Sequence, residues 1–319
     1  MAVLLVLVGW LHLGTLVLTA LFGYFAIQKF SLGRSRLLGI TLYIIAVAGI
    51  SYGLFHFARQ AYKELPVIAT TTIPIVVDYA ASLNIELPFT DYESLKKLAM
   101  EEAAVGVQNA ARYVRTATFE LASLLIGLFV AASLFLNVRW GEEDDPHTTR
   151  DSLYTMVVGE LVTRTVTFYA SFSRVIGAQI IISIINTGLT AVFLLWNDFR
   201  FAPVLIMLTF LCGLLPIIGN IISNTLIVFV AFTLSPRMAL VSLVFLIVIH
   251  KLEYFLNSKI IGDRIKNPMW LTLLGIVVGE KLMGIPGMIL APVVLHYIKI
   301  EASKAKVAGG VTVADVVKK

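Results

Sequence analysis

The feature that most constrains this chain is the length of its apolar runs. Ala2 to Ile27 contains no Asp, Glu, Lys or Arg, and long apolar runs recur at Leu37 to Phe57, Ala117 to Val138 and Ile176 to Trp196. A helix needs about 20 apolar residues to cross the hydrocarbon core of a bilayer. With 58% hydrophobic and 14% charged residues, the chain is predicted to be an all-α, polytopic integral membrane protein.

Charge and cysteine content narrow the function classes. The net charge of +5 comes from basic residues spread over loop ends, which is typical of orientation signals and not of nucleic-acid binding. The basic loop that carries Lys29, Arg34 and Arg36 is predicted to be cytoplasmic. One cysteine, Cys212, allows neither a disulfide nor a thiolate metal site within the chain. No catalytic motif occurs, so we expect no enzyme activity, no cofactor and no metal.

The pattern of spans and polar segments predicts six regions along the chain. They are two N-terminal transmembrane helices (1–57), an extramembrane amphipathic helical segment (58–116), a third transmembrane helix (117–138), a hydrophilic loop with an amphipathic helix (139–175), a transport core (176–300) and a cytoplasmic tail (301–319). Ala2 to Ile27 is interpreted as one retained span, because a cleavable signal peptide would have a charged start.

Two apolar segments of the core are interrupted. Ala202 to Leu215 is too short to cross the core, and it ends at Pro216 and Gly219 before a second apolar half begins. The stretch "GEKLMGIPG" interrupts a later pair of short apolar segments in the same way. We therefore expect about five full transmembrane helices and two broken, re-entrant hairpins.

Broken helices at membrane depth indicate a site, because free backbone polar groups need protein or water around them. The alternative is that proline and glycine only kink packed helices. Gln179, Ser183 and Asn186 share one helical face, as do His250, Glu253 and Asn257. The amides could bind solute or join helices, and Glu253 could lie in a cavity or at the interface.

These observations predict two sets of site residues. The substrate-binding set is Gln179, Ser183, Asn186, Pro216, Gly219, Asn220, Asn224, Gly284, Pro286 and Gly287, and the ion-coupling set is Glu253 and Asn257.

Several stretches carry a family resemblance. "SFSRVIGAQIIISIINT", "GLLPIIGNII", "LSPRMAL", "EYFLNSKIIGDRI" and "NPMWLTLLGIVVGEKLMGIPGMILAPVVLHYI" follow one another in the order typical of one group of membrane proteins. In these motifs the chain resembles the autoinducer-2 exporter family. The resemblance implies an inner-membrane, multi-pass secondary transporter with two re-entrant hairpins that forms a homo-oligomer, with a pentamer as one candidate. Family motif positions fall on Pro216, Gly219, Glu253, Asn257, Gly262, Pro268, Gly284, Gly287 and Pro292.

The chain departs from the family pattern at three places. Asn224 and the pair Ser258-Lys259 stand where family members usually have proline, and Asn267 replaces a histidine. The leading hypothesis is export of a small polar, autoinducer-2-like solute by alternating access, with protons or cations as coupling ions. The alternatives are a monovalent cation/proton antiporter and a non-transporting membrane scaffold. The expected partners are the lipid bilayer, the solute, a coupling ion and further copies of the chain, with no nucleic acid.

Overall fold

A computed structural model describes residues 2–31, 35–85, 110–137, 152–216, 218–261 and 268–304, together with residues 91, 93, 94 and 97. These residues form helices and turns, and no strand is found among them. The helices are α1 (Ala2–Trp10), α2 (Gly14–Phe30), α3 (Arg36–Ser82), α4 (Ala110–Asn137), α5 (Leu153–Trp196), α6 (Ala202–Gly213), α7 (Ile218–Ala231), α8 (Pro236–Ile261), α9 (Met269–Met283) and α10 (Ile285–Lys304).

Four helices within the described residues are long and apolar enough to cross a membrane. They lie in Arg36–Ser82, Arg115–Asn137, Leu153–Trp196 and Ile285–Lys304, and shorter apolar helices occupy Gly14–Phe30, Ala202–Gly213 and Gly219–Ala231. The prediction of an all-helical, multi-pass membrane protein is thus confirmed. The count of about five full crossings stays a prediction.

The N-terminal span differs from its prediction. Ala2 to Ile27 was expected to be one helix, but α1 ends at Trp10 and α2 begins at Gly14. His12 between them has a φ of 54°, in the left-handed region that interrupts a helix. The break packs against a distant helix end, because a Cβ on Gly14 would lie 3.0 Å from the Cβ of Met283. The expectation of one continuous helix was therefore wrong.

Two predicted region boundaries fall inside continuous helices. α3 has 47 residues and passes through residue 57 without a break, although Pro66 and Pro74 lie within it. α5 has 44 residues and passes through residue 175 in the same way. At 1.5 Å per residue α3 measures about 70 Å and α5 about 66 Å, both longer than a ~30 Å hydrocarbon core. Which parts lie outside the bilayer stays a prediction, and most of the predicted tail, 305–319, lies outside the described residues.

α5 is the helix around which the core is built. One buried cluster joins Phe168, Phe172 and Ile176 of α5 to Leu290 and Val293 of α10. A second cluster joins the far end of α5 to α6, α7 and α8, and there the Phe193 and Phe245 rings stack with centroids 4.0 Å apart. α5 therefore packs against both interrupted helix pairs: against α6 of the first pair at one end, and against α10 of the second pair at the other.

Candidate functional site

One helix of each interrupted pair, α6 or α10, runs antiparallel to α5, and the ion pair of Arg164 with Glu301 at 3.5 Å fixes the direction of α10. On one side Ser183 Oγ donates to the carbonyl of Phe210 at 3.0 Å, and Gln179 Nε2 donates to the carbonyl of Gly213 at 2.6 Å. On the other side the rings of Phe168 and Tyr297 pack edge to face with centroids 5.6 Å apart. As residue numbers rise on α5, they fall on both α6 and α10.

These pairings place the two breaks at one level along α5. α10 begins at Ile285, twelve residues before Tyr297, and Ile180 lies twelve residues after Phe168. Counted at equal rise along the two helices, the start of α10 falls at the level of Ile180, while the end of α6 bonds to Gln179. Residues 168, 179 and 183 share one stripe of α5 at 3.6 residues per turn. α6 and α10 therefore approach along the same stripe of α5 from opposite ends, and by this count their breaks fall at the same depth.

The end of α6 has a donor for every carbonyl in its last turn. A helix leaves its last four carbonyls without helical partners, and in hydrocarbon each unpaired group is costly. The donors are Ser183 Oγ for Phe210, Leu214 N at 3.3 Å for Leu211, Leu215 N at 2.8 Å for Cys212, and Gln179 Nε2 for Gly213. Two of the four partners are side chains of α5, so Gln179 and Ser183 join helices in this conformation. Their predicted role as solute ligands stays a prediction.

The turn from α6 to α7 is close-packed. A Cβ on Gly219 would overlap the carbonyl group of Cys212, and a Cβ on Gly213 would lie 2.5 Å from Ser183 Oγ. Pro216 lies in the connecting turn between the two helices. Pro216 and Gly219 therefore shape the tip.

The predicted coupling carboxylate bonds directly to the tip. Asn220 Nδ2 donates to Glu253 Oε2 at 2.5 Å, and His250 Nδ1 lies 3.9 Å from the same oxygen. The side chain of Glu253 is 15% exposed, and that of His250 is 48% exposed. Amide, carboxylate and imidazole from α7 and α8 thus meet at the start of α7.

Glu253 and Asn186 line one recess between α5 and α8. Its volume is about 170 Å³, counting the space that opens to the surroundings, and we call it the Glu253 recess. The other residues that line it are aliphatic: Ile182, Ile185, Leu189, Ile249, Leu252 and Leu256. A carboxylate and an amide in an apolar wall can hold a proton or a small cation, but the recess is too small for a large solute.

The depth of the recess bears on whether Glu253 is interfacial. Asn186 precedes Trp196, at the end of α5, by ten residues, or about 15 Å. Tryptophan commonly marks the membrane–water interface. If Trp196 lies there, Glu253 is near the middle of a ~30 Å core, which favours the cavity over the interface.

The remaining predicted residues have different surroundings. Asn224 follows Asn220 by one turn of α7 and is half-buried, with no side-chain hydrogen bond found among the described residues. The side chain of Asn257 lies outside the described part of the chain, as does Gly262. Pro286 packs against α2, since a Cβ on Gly14 would lie 3.2 Å from its Cβ.

The second break is a single residue. Gly284 has φ 62° and ψ −142°, between α9 and α10. A Cβ on Gly287 would overlap the carbonyl of Gly279 on the preceding helix. Gly284 therefore makes the turn, and Gly287 allows α9 and α10 to approach closely.

Two features of the site were not assigned from sequence. His250 was placed on the face of Glu253, but its approach to the carboxylate required the structure. The break at His12, packed against the second hairpin, was missed because no proline marks it. The available signal was a glycine, Gly14, two residues after the polar His12 in an apolar run.

Comparison with known proteins agrees with this architecture. Residues 2–305 match the family described as AI-2E family transporter. The chain is also similar to the "Putative transport protein YdbI" of Bacillus subtilis (strain 168), at 31% identity over 125 residues. That match covers 39% of this chain and 36% of the relative, so it spans little more than a third of that protein. Because the family match covers nearly the whole chain, the protein belongs to the AI-2E transporter family, and its long apolar helices make it a multi-pass membrane protein.

Proposed function

We propose that the protein is a secondary transporter that exports a small polar, autoinducer-2-like solute across the inner membrane by alternating access, coupled to protons or cations. One structural argument carries the proposal: counted along α5 from the Gln179–Gly213 and Phe168–Tyr297 contacts, both helix breaks fall at the level of Gln179. Breaks that meet at one depth from opposite ends are typical of the substrate region of secondary transporters.

The helix ends at this level suit a solute rich in oxygen atoms. α7 and α10 both begin at the breaks, and helix N-termini carry partial positive charge and free N–H groups. The carbonyl end of α6 is already paired. Asn220 and Asn224 add amides on one face of α7. We infer that hydroxyl or carboxylate oxygens of the solute meet these donors.

The Glu253 recess favours a second candidate, a monovalent cation/proton antiporter. In an antiporter the carboxylate of Glu253 would bind the transported ion itself, and the apolar walls of the Glu253 recess would exclude a larger solute. In the first candidate the same carboxylate couples solute flux to an ion gradient. The family resemblance supports either assignment. It also supports a homo-oligomer, for which a pentamer is one candidate. Within this oligomer a transport unit would move against a scaffold.

A cysteine scan tests the watery cavity that both candidates require. The chain has one cysteine, Cys212, so replacing it with alanine gives a background free of thiols. Asn220→Cys and Ile285→Cys sample the two tips, and Val244→Cys is the control because it is 54% exposed on an apolar stretch of α8. We expect water-soluble thiol reagents to label both tips and not the control. If neither tip is labelled from either side, the scaffold alternative is supported instead.

Flux in sealed vesicles then separates the two candidates. An exporter carries labelled solute and saturates with it, whereas an antiporter moves protons when only a monovalent cation gradient is imposed. Glu253→Gln is expected to abolish coupling in both cases. Unchanged coupling in this variant would contradict the assignment of Glu253.

A further inference from the structure

We propose that the Asn220–Glu253 hydrogen bond is a proton-controlled latch on the first hairpin, and that His250 delivers the proton. The inference rests on the proposed function and deepens it by naming the proton as the coupling ion. Ionised Glu253 holds α7 against α8, and protonated Glu253 releases it.

The bond is placed where it can control the hairpin. Asn220 is in the first turn of α7, directly after the tip, and Glu253 belongs to α8. Further along, the contact between α7 and α8 is apolar, built from residues such as Ile227, Val230 and Leu246. Apolar contacts are not directional, so they do not fix one position of α7 along α8. The polar bond at the tip therefore sets where the start of α7 lies.

The chemistry of the two groups gives the direction of the switch. The Asn220 amide donates, and an ionised carboxylate only accepts, so the bond is charge-assisted and about twice as strong as a neutral one. When a proton binds Oε2, that oxygen becomes a hydroxyl donor facing the amide N–H, and the bond loses its charge assistance. The amide must turn or shift to pair with a neutral carboxyl group, and only with a bond of about half the strength, so the latch opens.

His250 is placed to supply that proton. Its Nδ1 lies 3.9 Å from Oε2, beyond direct hydrogen-bond length, so a small rotation of the ring or one water closes the gap. The ring is about half exposed, so it can exchange protons with the surroundings, as imidazole side chains do when they relay protons. In the transfer the Nδ1–H bond of the imidazolium breaks and an O–H bond forms on Glu253. The neutral ring then takes a new proton from water.

The helices packed against α8 bring no competing titratable group near Glu253. α7 contains none, and those of α5 are Tyr154, Glu160, Arg164, Tyr169 and Arg174, all at the other end of that helix from the recess. Among the α5 residues that line the recess, the polar one is Asn186, whose amide does not titrate. On α8 itself, Lys251 is exposed. Within the described residues, His250 is thus the titratable neighbour of Glu253.

Distance measurements between α7 and α8 test the latch without requiring a known solute. Spin labels at Ile221 and Val248, both exposed, report the separation in proteoliposomes of the cysteine-free background. From about pH 8 to about pH 5 we expect the distribution to shift from a short to a longer distance as Glu253 takes up a proton. Asn220→Ala and Glu253→Gln should show the longer distance at every pH. Glu280→Gln, which neutralises an exposed carboxylate on α9, is the matched control and should behave like the parent.

The role of His250 is kinetic and has its own readout. After a pH jump, His250→Ala should approach the same final distribution at least about tenfold more slowly. A distance that does not respond to pH in the parent, or Glu253→Gln at the short distance, would overturn the latch. An unchanged rate in His250→Ala would overturn the relay. If the distance responds but vesicles carry no solute and no ion, the proposed function fails while the latch stands.

Discussion

The two hairpins end at the same level of α5, but different interactions hold their breaks. At the first break, four residues separate α6 from α7, and side chains of other helices bond to both helices. Gln179 and Ser183 donate to carbonyls at the end of α6, and Glu253 accepts from the Asn220 side chain in the first turn of α7. At the second, only Gly284 separates the helices, and backbone bonds continue on both sides of it, from Gly284 N to Glu280 O at 2.7 Å and from Met288 N to Gly284 O at 3.1 Å.

This difference indicates that the two hairpins have different roles in transport. Side-chain hydrogen bonds can change partners when a solute or proton arrives, because the same donors and acceptors serve either one. A glycine turn and close glycine contacts have no such alternative partner. We therefore expect the first hairpin to respond to ligands and the second to act as a fixed element or a hinge.

We expect the largest loss of stability from variants that disturb the close backbone packing found at both hairpins. Gly219→Ala would push a methyl group into the carbonyl of Cys212, and Gly287→Ala would do the same to Gly279. Backbone cannot yield as a side chain can, so each should lower the free energy of unfolding by about 3 kcal/mol. Thermal unfolding in detergent measures it.

Gly188→Ala on α5 is the matched control, because a Cβ there meets nothing within 4 Å. Removing a helical glycine without a clash should leave stability unchanged or raise it by about 0.5–1 kcal/mol. Equal midpoints for Gly219→Ala and Gly188→Ala would contradict the close packing of the first tip.

How far the sequence could predict these breaks depends on what causes each one. Pro216 and Gly219 in an apolar run indicated the first break at the right place. The second break was predicted to span "GEKLMGIPG", but α9 continues to Met283 and α10 begins at Ile285, so the break is Gly284 alone. Pro286 does not extend the break, because it lies in the first turn of α10, where no backbone N–H is needed. Gly279 and Gly287 are packing residues, and their partners lie on the facing helix. A single sequence cannot distinguish a glycine that turns from one that packs.

The site shows the same limit. The spacing of Gln179, Ser183 and Asn186 correctly placed them on one face of α5, but the pairing of two of them with the end of α6 depends on the register between helices. Likewise, Asn220 and Asn186 are known as neighbours of Glu253 only from the structure, and the choice between a cavity and the interface stays a prediction. Local periodicity predicts faces, and tertiary register decides their partners.

A smaller effect is expected where side chains hold the first break. Gln179→Leu keeps the bulk of the side chain but removes the donor to Gly213 O, leaving a buried carbonyl unpaired. The loss should be about 2 kcal/mol. Asn137→Leu is the control, since its exposed amide donates to Ser133 Oγ one turn away within α4, and there we expect less than about 0.5 kcal/mol. If both variants unfold at the parent's midpoint, Gln179 does not pair the helix end.

The smallest effect is expected at the second break, where backbone conformation alone is at stake. A Cβ on Gly284 meets nothing within 4 Å, so Gly284→Ala adds no clash, and its cost of about 1 kcal/mol comes from φ 62° with ψ −142°. Asparagine tolerates the left-handed helical region but not this ψ, so Gly284→Asn should lose as much stability as Gly284→Ala. Unfolding midpoints of the two variants, measured side by side in detergent, check this equality. A clear recovery in Gly284→Asn would mean that the turn relaxes into the left-handed helical region, and the second hairpin would then be as adaptable as the first.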